Sequence, residues 1–218
     1  AANKGGFPEI FWKAKLPDTR VVGSQTENLI RILPVQGEDI PFVETFWHYN
    51  LGKKSLICPK YTDGKSSCPV CDVVRDMYDK ANEYGDDALR KQAGSIRAKM
   101  KTYVPVVDRN SGEDKVLWWG MSKTNYGTIM SFFCDPDIGD ITSPTEGFDL
   151  KLTYTVGSNH IPMPRIDAAR RPSKLASNRE KTKELLEGVP DIESALTRKT
   201  EQEITEILDA WANPPEDD

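Results

Sequence analysis

Four side chains in the first third of the sequence are of types that bind metal ions. Cys58, Cys68 and Cys71 fall close together, and His48 lies ahead of them, giving H-x9-C-x9-C-x2-C. A C-x2-C turn brings two thiolates to one metal without strain, and longer loops can deliver two further ligands. Zinc takes four nitrogen or sulfur ligands in a tetrahedron. With all four positions filled by protein, no position is left for water, so such a site supports folding and performs no reaction. The expectation is one structural Zn2+ on His48, Cys58, Cys68 and Cys71. The competing reading is a redox C-x2-C pair, which would need neither Cys58 nor His48. His160 is the only other histidine and lies far down the chain. Cys134 has no partner at ligand spacing and reads as a buried thiol.

Catalytic alternatives find little support. Zinc deaminases pair H-x-E with P-C-x-x-C, the Glu acting as general acid and base. Here Tyr49 and Asn50 follow His48, and Ser67 precedes the C-x2-C. There is no Gly-rich phosphate loop with its Lys and no G-x-S-x-G elbow. Two histidines are too few for a nuclease of the His-metal kind. The sequence reads as that of a binding protein and not an enzyme.

A second set of residues suits nucleic acid. Single-strand binders combine a basic groove with aromatic platforms on which bases stack. Arg97, Lys99 and Lys101 precede Tyr103, and alternation would put Lys99, Lys101 and Tyr103 on one strand face. Lys115, Trp118 and Trp119 follow, then Lys123 and Tyr126. Lys151 and Tyr154 lie on a further strand. Aromatics in strands more often fill cores, but Trp118 and Trp119 must point to opposite faces. One of them is therefore either covered by a helix or exposed for use.

These residues need elements to hold them. Alternating and β-rich segments predict strands over 28–34, 40–49, 101–108, 115–122 and 148–155. Helical spacing predicts helices over 69–81, 86–99 and 125–133. The segment 50–68 has no period of its own, so a metal would have to order it. Near the C-terminus, Ser177 with Glu180 and Thr200 with Glu203 fit capping boxes, and Ile204, Ile207, Leu208 and Trp211 form an apolar stripe. Five short strands with helices predict a mainly β, α+β fold of the OB-barrel type. The boundaries that follow are an irregular leader over 1–27, a core over 28–159, a Pro/Arg-rich linker over 160–174 and an acidic helical tail over 175–218.

Charge and hydropathy bound the partners. The chain has 218 residues and a net charge of −5. Residues 1–134 carry +3 and residues 172–218 carry −6, so a mildly basic body is joined to an acidic tail. Such a tail is a solvated face, a partner-binding arm or a mimic of the polyanion the body binds. No apolar run nears the ~20 residues of a membrane span. The N-terminus shows no signal-peptide pattern, and four cysteines fit a reducing compartment. The chain reads as soluble and cytosolic, with no membrane partner.

From Asn28 to Thr155 the sequence resembles the single-stranded-DNA-binding proteins of tailed phages, of the T4 helix-destabilising type. The resemblance rests on RILP, PFVETFWHY, the C-x9-CPVC spacing, IRAKMKTYVPVVD, KVLWWGMSKTNYGTI and TEGFDLKLTYT. It implies an OB-fold with a zinc subdomain inserted at about 48–98. It implies sequence-tolerant binding of single-stranded DNA in replication, recombination and repair, in the host-cell cytoplasm. By matching position, Trp119, Lys123 and Tyr126 resemble cleft residues, and Arg97–Lys101 resembles a backbone contact. Tyr103, Lys151 and Tyr154 join them from face and composition alone. Two departures stand out. Residues 1–10 hold Lys4 as their only cation, where the family has a basic arm for cooperative self-association. The acidic tail, through which the family recruits replication proteins, is short. The alternative function is a zinc-stapled module whose exposed aromatics hold another protein.

Overall fold

Among the described residues, apolar alternation and helical periodicity build seven strands and six helices. In the computed structural model, residues 9–112 and 114–214 are described. The expected lack of a basic arm (Lys4) and the terminal PEDD lie outside the described residues. The strands are β1 (Gln25–Ile32), β2 (Val43–Leu51), β3 (Lys54–Ile57), β4 (Lys99–Asp108), β5 (Val116–Ser122), β6 (Asp149–Val156) and β7 (Pro162–Ala168). The helices are α1 (Pro59–Thr62), α2 (Pro69–Tyr84), α3 (Asp87–Ile96), α4 (Lys123–Phe133), α5 (Arg179–Glu187) and α6 (Glu201–Ala212). The strands form one sheet in the order β3-β2-β4-β1-β6-β7, with β5 pairing β4 off that path. Among the described residues no helix is long and apolar enough to cross a membrane.

The α+β class stands, with seven strands where five were expected. Two strands escaped the pattern for local reasons. β3 is four residues long and follows a turn at Asn50 and Gly52, both at positive φ. β7 lies in the stretch read as a linker and contains Pro162 and Pro164. Proline cannot donate to a ladder, and β7 is an edge strand, where that is tolerated. It pairs β6 with Tyr154 opposite Pro164 and Leu152 opposite Ile166.

The chain divides into two units. One comprises Ala1–Val43 with Thr102–Ala195, the other Glu44–Lys101 with Leu196–Asp218. In the first, the sheet is covered on both faces. One face packs Ile30, Ile32, Val104, Val106, Leu150 and Leu152 with Trp119 and Ile129. Trp12, from the segment read as an irregular leader, joins this core and meets Trp119 edge-on at 5.9 Å. The other face packs Leu33, Val107 and Val116 beneath Leu175 and Leu185. Arg31 is fully buried, yet its guanidinium donates to Asp149 at 3.0 Å and to the Ser173 hydroxyl and carbonyl. Arg109 donates to the same carboxylate and to the Leu175 carbonyl. This ion cluster fastens residues 173–175 to the sheet. Burial pushes the Arg31 guanidinium down from its ordinary value, and Asp149 opposes that shift.

In the second unit, α2 and α3 pack with the β2–β3 hairpin. The α6 stripe does not face water: Ile204, Ile207 and Leu208 are buried with Leu51, Leu56, Val70, Val74 and Ile96. The Thr200–Glu203 capping box forms as expected. For α5 the cap is Asn178, accepting from the Lys181 amide, in place of the Ser177 box.

Candidate metal centre and DNA-contact residues

Each metal-ligand candidate is placed by its own stretch of backbone. His48 sits inside β2, opposite Leu56 on β3, and is fully buried. Cys58 caps α1 and Cys68 caps α2, both in extended conformation and both followed by proline at the first helical position. Proline there gives up no hydrogen bond and has the helical φ already fixed. Cys71 then falls in the first turn of α2. Three sulfurs thus lie at helix N-termini, where free amides and the helix dipole favour thiolate. The Cys58 amide donates to the Phe46 carbonyl at 2.7 Å, and the Thr62 hydroxyl accepts from the Phe46 amide at 2.8 Å. These bonds hold the first cysteine against the histidine strand.

The four ligand atoms lie within 4.8 Å of one another. Cys58 Sγ is 3.5 Å from Cys71 Sγ, and His48 Nε2 is 3.5 Å from Cys68 Sγ and 3.6 Å from Cys71 Sγ. A tetrahedron with zinc–sulfur bonds of ~2.3 Å and zinc–nitrogen bonds of ~2.0 Å has edges of about 3.5–3.8 Å. The set therefore fits one metal ion. His48 Nδ1 lies 2.7 Å from the Ile96 carbonyl. That contact fixes the tautomer with the proton on Nδ1 and leaves Nε2 as the ligand. Ile96 was not foreseen, because a backbone acceptor 48 residues away leaves no mark on the sequence.

Crowding perturbs these groups. The Cys68 thiol is pulled well below its ordinary value by hydrogen bonds from Cys58 and Cys71, with His48 adding to them, whereas contacts with Cys58 and Cys68 push Cys71 up, so the proton of the group stays on Cys71 while no metal is bound. Burial acts to lower the His48 value, but contacts with Cys58, Cys68 and the Ile96 carbonyl outweigh it and raise it to about 9. Cys134 is exposed at the C-cap of α4, against the expected buried thiol.

The expected DNA contacts fall into three groups. Arg97, Lys99 and Lys101 belong to the metal-ligand unit; the first two are exposed, and burial lowers the Lys101 value. In the other unit, Lys123 is exposed at the start of α4, and Tyr126 packs edge-on against Phe42 at 5.2 Å. Lys151 is exposed and pairs with Glu27 at 3.1 Å. Tyr154, three residues on, lies on the opposite, core-facing side of β6, and burial raises its hydroxyl. Tyr103 and Trp119 are 4% and 5% exposed, so neither offers a stacking face in this structure. Trp118 is buried too, its indole donating to the Pro190 carbonyl at 2.8 Å. Both tryptophans are covered because the sheet of this unit is packed on both faces, which leaves no half-buried side for either.

Fold and site together define an α+β protein with a protein-enclosed centre able to hold one metal ion. Over residues 24–212 the chain matches the family described as gp32 DNA binding protein like, and it belongs to that family of DNA-binding proteins. No curated protein matches the chain.

Proposed function

We propose that this chain binds single-stranded DNA with little sequence preference, as a non-catalytic component of phage DNA replication, recombination and repair. The family match over residues 24–212 carries this reading. The exposed cations Arg97, Lys99, Lys123 and Lys151 support it, since phosphate contacts supply most sequence-independent affinity. Strands β1, β4, β5 and β6, with β7 in place of the expected 40–49 strand, are read as an OB-type core, with the Cys/His unit as its insertion.

The metal is read as one zinc ion on His48, Cys58, Cys68 and Cys71. The donor set and its spacings suit zinc, and four protein ligands leave no open coordination position. Zinc here would supply folding energy, and this chain's own residues would make the DNA contacts. The acidic outer face of α6 is read as a surface for replication proteins.

The test is fluorescence anisotropy of a labelled oligo-dT with the full chain. Micromolar or tighter binding that weakens steeply with salt is expected. Binding insensitive to salt would contradict the reading.

A further inference from the structure

The metal-ligand unit contains a cavity of about 430 Å³. Its wall carries three aromatic rings, Phe46, Tyr61 and Tyr78, and two guanidinium groups, Arg75 and Arg97. One acid, Asp79, lines it as well. Phe46 and Tyr61 pack at 5.6 Å with their planes tilted by 45°. Tyr61 is 55% exposed, so its ring is not held as core. Arg75 is turned toward Asp72 and Asp76 on its own helix. The Arg97 side chain has no hydrogen-bond or ion-pair partner among the described residues. The volume suits a small ligand.

Rings beside an unpaired guanidinium are what a base with its attached phosphate requires. Asp79 disfavours phosphate on its own side, but a carboxylate accepts hydrogen bonds from the N–H groups of a base edge. We propose that this pocket seats one nucleotide of single-stranded DNA, with the base against Tyr61 and the phosphate at Arg97. The inference rests on the single-strand-binding reading and gives it a site. Cys71 also lines the cavity, so the metal centre shapes the wall that the base would meet.

The test uses the full, metal-loaded chain and two measurements. Anisotropy with labelled oligo-dT compares wild type with Tyr61→Ala, Arg97→Ser and Tyr84→Ala, the last a 74% exposed tyrosine that does not line the cavity. Tyr61→Ala should weaken binding about tenfold, as loss of one stacked base does. Arg97→Ser should weaken it several-fold and lower the salt slope by about one phosphate contact. Tyr84→Ala should bind within about twofold of wild type, a change too small to represent a lost base contact. Photocross-linking of 5-iododeoxyuridine oligonucleotides to the unaltered chain should label peptides containing Phe46, Tyr61 or Tyr78. If wild type binds single strands while Tyr61→Ala binds equally well, or if every cross-link maps elsewhere, the pocket is not a nucleotide site and the functional reading stands. If wild type binds no single strand, both fall together.

Discussion

Cys58 and Cys68 share a local arrangement: each is itself extended, caps a helix and precedes a proline. The C-x2-C spacing showed that two thiols could meet. The helical period from 69 put that pair at a helix start, but nothing in residues 50–68 marked the short helix that Cys58 caps. Changing Cys71 to Ser should abolish stoichiometric metal uptake, read by elemental analysis, and lower the melting temperature. Structural zinc contributes on the order of 10 kcal/mol in small domains, so loss of cooperative melting in this unit is expected. Acid should act likewise. The ligand thiols must be deprotonated, and Cys68, held low by its neighbours, contributes fully above the ordinary thiol value and loses that contribution as pH falls toward its folded value. Metal retention should therefore be complete at neutral pH and fail on acidification, read by release to a colorimetric chelator. Trp119 belongs to the same scale. Its aromatic type was legible, but its burial depended on Trp12, 107 residues away. Trp119→Ala should cost about 3–5 kcal/mol in denaturant unfolding, and stability unchanged by it would contradict its place in the core.

Among the elements, α6 changes most between sequence and structure. Its stripe of Ile204, Ile207, Leu208 and Trp211 was plain in the 3.6-residue period, as was its capping box. The partner of that stripe was not, because a helical period gives a face and no address. In the fold the stripe is buried with Val70 and Val74 of α2, and Arg198 just before it pairs with Asp63 at 3.2 Å. Residues from the acidic C-terminal region are thus structural as well as charged. Ile207→Ala should lower stability by about 2–4 kcal/mol, measured by urea unfolding of the metal-loaded chain. Removing residues 172–218 would strip Leu175 and Leu185 from one core and Ile204 from another, so such a deletion should fail to fold cooperatively. Arg31 lies in a strand that was legible, but its burial was not, because its partner Asp149 lies 118 residues away. Replacing Arg31 with Ala would leave Asp149 to Arg109 alone and free residue 173 from the sheet, so a lower urea midpoint is expected.

For the whole molecule, composition pulls against function. A net charge of −5 argues against polyanion binding, and only the distribution of charge rescues it. The exposed cations occur in both units, whereas the aromatics that sequence alternation offered as platforms are partly consumed by cores. Strand parity alone cannot tell a sheet packed on one face from a sheet packed on two, which is why Tyr103 and Trp119 could be named but not placed. With Trp118 and Trp119 buried, tryptophan emission would not report stacking on either, and a labelled oligonucleotide is the more direct reporter. The central claim is that this fold, ordered by its Cys/His centre, grips single-stranded DNA chiefly through phosphate charge and base stacking. The direct measurement is competition between oligo-dT and a duplex of equal length for the full metal-loaded chain, across a series of salt concentrations. The account predicts that the single strand wins at every salt and that its affinity falls linearly in log–log form. Equal or stronger binding of duplex, or an affinity indifferent to salt, would contradict it.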